Sequence, residues 1–233
     1  MNSDKSTARL LGFMFVFVVI AGVLSSLPLG SFGYTLLGAP ENISKTMLAI
    51  ADNPTAMQLG IIGYLIESVA IVLLATLLYI VLKTQNKIIA LWALGLWIAE
   101  AAFVAIRQIS AFSLLNVSQE FSKATDSSYL LTLGTLFFRS MQFILASQMV
   151  FYTIGGLLFY YLFFKSKYIP TWLALFGIAV ASLGFIGELF VLLDYDVSLF
   201  VFLPILPFEL AIGIWLMIKG IGADSEPSAQ PGR

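Results

Sequence analysis

The chain has no cysteine and no histidine, and only 11% of its residues are charged. Without cysteine there is no disulfide, no thiol nucleophile and no thiolate metal site. Without histidine the commonest metal ligand and general base is gone. Haem ligation by His or Cys, zinc-dependent intramembrane proteolysis built on His, and Ser-His catalysis all need residues that are missing here. A retinal-type Schiff base needs a lysine in mid-span, and every lysine sits at the end of an apolar run or in a loop. The shortage of charge excludes more: a water-soluble domain of 233 residues needs a far more charged surface than a 60% hydrophobic composition provides.

What is present is length and apolarity. About 20 apolar residues, at roughly 1.5 Å each, cross a hydrocarbon core of about 30 Å. Six runs meet that test: Leu10 to Leu29, Thr55 to Leu82, Ile88 to Leu115, Ser140 to Phe164, Pro170 to Leu193 and Val197 to Ile218. The fold expected is all-α, an integral membrane bundle of six transmembrane helices. Residues 1–221 form its single domain, and the polar stretch 222–233, with two prolines, is a disordered cytoplasmic tail.

Orientation follows from Lys and Arg near the span ends, which are retained on the cytoplasmic side. With the N-terminus inside, Lys5, Arg9, Lys83, Lys87, Lys165, Lys167, Lys219 and Arg233 are cytoplasmic, against Lys45 and Lys123 outside. Both termini are therefore expected in the cytoplasm. A signal peptide is the competing reading of Leu10 to Leu29, but the run is long for one and is read as a retained anchor. Asn53-Pro54 and Pro170 mark helix starts, and Trp92 and Trp172 suit an aromatic belt next to Lys87 and Lys167. Ile43 to Ala51 has the pattern of a short amphipathic helix on the membrane, and Tyr129 to Arg139 either extends the fourth span outward or lies at the interface.

The ionisable residues inside the runs are the candidates for chemistry, because an unpaired charge in hydrocarbon costs several kcal/mol, roughly 3 or more. They are Glu67, Glu100, Arg107, Glu188 and Glu209, with Arg139 just before the fourth run. Counting along the spans puts Glu67, Glu100 and Glu209 roughly 15 to 18 Å from a span end, and Arg107, Arg139 and Glu188 near the outer surface. Small residues share their helical faces: Gly60, Gly63 and Ala70 with Glu67, Ala181 and Gly184 with Glu188, and Gly213 with Glu209. Glu100 and Arg107, two turns apart, form one stripe. Either these groups make a functional polar centre, or they hold the helices together by interhelical hydrogen bonds. Pro204 and Pro207 leave a second pair of readings: a helix broken in mid-membrane just before Glu209, or one that begins at Pro204.

The order of several short motifs resembles a known family. They are Ala8-Arg9-Leu10-Leu11-Gly12, Tyr79 to Lys83, Ile169-Pro170-Thr171-Trp172-Leu173, Pro207-Phe208-Glu209-Leu210 and Trp215-Leu216-Met217-Ile218-Lys219-Gly220. Together they are similar to the bacterial multi-spanning membrane family catalogued as domain of unknown function 4386. The resemblance implies a protein of the bacterial cytoplasmic membrane, about six helices, and no established activity or cofactor. It includes Glu209; Glu100 and Arg107 rest on the membrane argument alone.

Three classes of function remain. In a transporter or binding protein for a small solute or protons, Glu67, Glu100 and Glu209 are the ligand-binding centre. Arg107 and Arg139 attract anionic groups at its outer mouth, with Glu188 nearby. In a scaffold or regulator the same Glu are glue, and small-residue seams such as Ala101 with Ala105 or Gly177 with Ala181 face a membrane partner or a second copy. An intramembrane enzyme would need two Glu within reach of one substrate bond, and Glu100 followed by Arg107 does not supply that pair. No catalytic residue, cofactor, metal or nucleic-acid partner is expected; the lipid bilayer is.

Overall fold

A computed structural model describes residues 2–30, 42–124, 127–193 and 195–221. The tail 222–233, expected to be disordered, lies outside the described residues. The described chain forms α1 (Asn2–Gly30), α2 (Ile43–Asp52), α3 (Pro54–Leu82), α4 (Lys87–Phe121), α5 (Ser128–Ser166), α6 (Thr171–Leu192), a 3-10 turn (Leu199–Val201) and α7 (Ile205–Lys219), with no strand among the described residues. Five helices, α1, α3, α4, α5 and α6, are long and apolar enough to cross a membrane.

Side-chain caps set several boundaries. Asn53 Oδ1 accepts from Ala56 N–H and Pro54 occupies the first helical position of α3, where its missing N–H costs nothing. Asn86 Oδ1 accepts from Ile88 N–H and Ile89 N–H at 3.1 Å to open α4, and Asn42 accepts from Lys45 N–H to open α2. The short helix expected from Ile43 is thus formed, and α5 runs unbroken from Ser128 through Arg139, so the segment before the fourth run extends that span.

The last apolar run departs from a single long span. Only Ile205–Lys219 is helical, 15 residues or about 22 Å of rise, and the chain before it is turn and 3-10 structure. Pro204 stands at the N-cap and Pro207 falls within the first turn, where backbone N–H groups have no intrahelical partner anyway. The prolines therefore start this helix and do not break it.

Neighbouring helices close a ring in the order α1, α3, α4, α5, α6, α7 and back to α1, while α2 packs across α3, α4 and α5 at one end. At the other end the helix ends and loops carry exposed Lys83, Lys87, Lys165, Lys167 and Lys219, and Gln85 Nε2 donates to the Tyr168 hydroxyl to join two of the loops. Glycines allow the closest crossings. A Cβ on Gly12 would stand 2.5 Å from the Gly213 carbonyl oxygen, so α1 and α7 touch backbone to backbone.

The buried interior divides into two apolar clusters. One, toward the lysine end, contains Leu11, Phe15, Trp97, Phe159, Phe163 and Phe208; the other, under α2, contains Met47, Ile50, Met57, Tyr64, Phe138 and Met141. Outward faces are rich in exposed Leu, Ile, Val and Phe, among them Ile66, Val69, Phe112, Phe143 and Phe190. Water would not tolerate so continuous an apolar surface, and a bilayer requires it. Trp92 and Trp172 are both exposed near the lysine end, as a belt at a membrane boundary would be.

Candidate functional site

Between the two apolar clusters lies a polar layer to which α3, α4, α5 and α7 each contribute. Glu67 on α3 is held against α1 at Gly22, where a Cβ would lie 2.8 Å from Glu67 Oε1; only a bare glycine leaves the carboxyl that room. Glu100, on α4, is 5% exposed, and the Gln148 side chain of α5 lies beside it. Glu209, on the second turn of α7, accepts a 2.8 Å hydrogen bond from the Tyr152 hydroxyl of α5. These three carboxyls lie within electrostatic reach of one another, so helices distant in sequence aim their acids at one region.

Aromatic packing positions the layer. Trp97 is buried, stacks on Tyr152 at 5.8 Å between centroids, meets Phe159 edge-on at 5.1 Å and donates its Nε1–H to the Tyr152 carbonyl at 3.0 Å. Gly155 makes this possible, since a Cβ there would overlap Trp97 Cδ1. Tyr160 packs edge-on to Phe208 at 4.8 Å and sets its hydroxyl beside Tyr152 and Glu209, where it finds no hydrogen-bond partner. On α3, the Ser68 hydroxyl donates to the Ala101 carbonyl of α4 at 2.8 Å, which fixes Glu67 relative to Glu100.

Of the residues singled out from sequence, the structure brings together Glu67, Glu100, Glu209 and Arg107. Arg107 is 3% exposed, lies with its guanidinium over the Tyr64 ring at 4.5 Å, and acts electrostatically on Glu67. Arg139 is exposed on α5, and Glu188 is buried on α6; neither is among the charges acting on the three Glu. The small-residue seams are spent inside the bundle: Ala101 is buried, and Gly177 is filled by Phe208 while Ala181 is buried beside it. Ala105, the other member of the Ala101 seam, is half-buried.

Sequence reading missed Gln148, Tyr152 and Tyr160, although residues 148, 152, 156 and 160 follow the four-residue spacing of one helical face. Polar side chains at that spacing inside an apolar helix were the available signal. An open recess of about 580 Å³ between α1 and α3, lined by Phe13, Phe17, Ile62, Ile66, Val69 and Leu73, is almost wholly apolar and belongs to the lipid-facing surface.

A ring of apolar helices around a buried layer of carboxyls and phenols defines an all-α membrane protein. The chain belongs to the family described as Domain of unknown function (DUF4386), which matches residues 10–220. No curated protein and no solved structure matches it.

Proposed function

We propose that this protein is a six-span protein of the bacterial cytoplasmic membrane, both termini inside, that admits a small solute or protons to the polar layer. In this reading α7 is the sixth span, the lysine-rich end faces the cytoplasm, and residues 1–221 act as one domain. Glu67, Glu100 and Glu209 are the binding groups. Arg107 is the cation that faces them from the α2 side, with Arg139 and Glu188 farther out as residues met on the way in.

The observation that carries the reading is the convergence of three carboxyls from three helices, together with Tyr152 on Glu209. Structural glue needs no such concentration: a single interhelical bond like that of Ser68 to Ala101 suffices. Burying several acids at one level is expensive and in membranes marks solute, ion or proton paths. The Tyr152–Glu209 bond nonetheless ties α5 to α7 directly, which favours the scaffold reading as the second choice.

The two readings differ in whether water reaches the layer. Because the chain has no cysteine, Gln148→Cys in the layer and Gln108→Cys, buried on α4 next to Arg107, each place a single thiol, and Ala90→Cys places a control in the lysine-end core. In intact cells a charged, membrane-impermeant thiosulfonate is expected to modify the first two and spare the third. If both stay unmodified in the folded protein yet react after detergent denaturation, the bundle is dry and the scaffold reading takes over.

A further inference from the structure

Among the described residues, four buried side-chain polar atoms have no hydrogen-bond partner: Glu67 Oε2, Ser118 Oγ, Gln148 Oε1 and Tyr160 OH. Three of the four belong to the polar layer, and Gln148 and Tyr160 are only 8% and 1% exposed. Buried polar atoms are nearly always paired, so a cluster of exceptions needs a physical account. Two nearby donors are already engaged: Tyr152 OH donates to Glu209 and Trp97 Nε1–H to the Tyr152 carbonyl. Of the unpaired atoms in the layer, Glu67 Oε2 and Gln148 Oε1 are acceptors, and the Tyr160 hydroxyl can accept as well as donate.

Charge points the same way. Arg107 acts on Glu67, but no cation is among the charges acting on Glu100 or Glu209. Geometry narrows the guest further. No three acidic groups among the described residues are placed to share a metal ion, and the unpaired polar atoms of the layer sit on two helices, α3 and α5. A guest that carries several N–H donors diverging from one positive nitrogen answers that arrangement. The walls on the lysine side are aromatic, with Tyr152 stacked on Trp97 and Tyr160 against Phe208, and ring faces attract organic cations while sheltering alkyl groups.

We propose that the layer takes a small protonated primary amine, seated between Glu100 and Glu209 with Gln148 Oε1 and Tyr160 OH as further acceptors. This rests on the reading of the layer as a binding site and names the chemistry of what enters it.

The test uses the full chain in lipid nanodiscs and follows thermal unfolding by tryptophan fluorescence. Ethylammonium, sodium ion and the uncharged n-propanol are the probes. Ethylammonium is expected to raise the midpoint saturably while sodium and propanol do not. Glu100→Gln and Glu209→Gln each weaken its binding at least about tenfold, the effect of one lost charge-assisted bond. Tyr160→Phe removes a hydroxyl that has no partner in the empty protein, so the variant folds at least as stably while binding ethylammonium about threefold to tenfold more weakly. That variant keeps the test decisive if the Glu variants fail to fold.

An absent ethylammonium shift, an equal shift with sodium, or an undiminished one in Tyr160→Phe overturns the proposal. If thiosulfonate still reaches Gln148→Cys in that case, only the amine is lost and the water-accessible layer stands. If labelling fails as well, both readings fall.

Discussion

Replacing Gly12 with alanine adds one methyl group where α1 crosses α7, and the surroundings fix what it must do. The new Cβ would lie 2.5 Å from Gly213 O, 2.7 Å from Met217 N and 2.9 Å from Met217 Cγ. Two of those neighbours are helix backbone and cannot swing aside. Restoring ordinary contact at 3.4 Å requires the helices to separate by about 0.9 Å, since the shortest approach is 2.5 Å. Overpacking of this kind costs about 1 to 3 kcal/mol, against a gain of roughly 0.5 to 1 kcal/mol from replacing glycine inside a helix. The net expectation is a loss of up to about 2.5 kcal/mol. Gly95 supplies the internal control, because nothing lies within 4 Å of a Cβ built there. Gly95→Ala should therefore gain up to about 1 kcal/mol. Both are read by SDS titration of the micellar protein, with the buried Trp97 among the fluorescence reporters. A Gly12→Ala protein as stable as Gly95→Ala would refute the backbone contact. A cycle with Tyr152→Phe adds a second check: pushing α7 outward loosens the Tyr152–Glu209 bond, so removing that hydroxyl costs less in the Gly12→Ala background than in the wild type.

Three further outcomes follow from individual contacts. Trp97→Phe deletes the 3.0 Å bond to the Tyr152 carbonyl and shortens a ring wedged among Phe15, Tyr152 and Phe159, so it is expected to destabilise by about 2 to 3 kcal/mol in the same titration. Asn86→Ala removes the acceptor of two N–H groups at the start of α4 and should cost about 1 kcal/mol, while Asn86→Gly costs only a few tenths. Arg139→Gln, on an exposed surface of α5, is expected to change stability by less than about 0.5 kcal/mol and to leave ethylammonium binding unchanged; a tenfold effect on binding would bring Arg139 back to the site.

Much of the scaffold was readable because hydrophobic length is an unambiguous signal. Five apolar runs became long helices, and Asn53-Pro54 opened α3 as its residue types require. Depth was legible too: Glu67, Glu100 and Glu209, placed at similar levels by counting rises, are the carboxyls that act on one another. Azimuth was not. Whether an acid faces its neighbour depends on how helices are ordered around the ring, which no single helix encodes, so the mutual approach of Glu67, Glu100 and Glu209 had to come from the packed bundle. The aromatic partners were hidden for a related reason. Tyrosines and tryptophans are common at membrane boundaries, so Tyr152 and Trp97 gained meaning only once α4 and α5 were seen side by side. The shortness of α7 was the one departure in span architecture, and it arises because Pro204 and Pro207 fit a helix start better than a helix middle.

The ring closes between the first helix of the chain and the last, through the bare backbones of Gly12 and Gly213. Until α7 has been synthesised, α1 and α3 to α6 lack the helix that closes the ring, and the Tyr152 hydroxyl lacks its acceptor Glu209. Nascent chains halted before α7 should for this reason be the species most readily captured by the membrane's quality-control proteases.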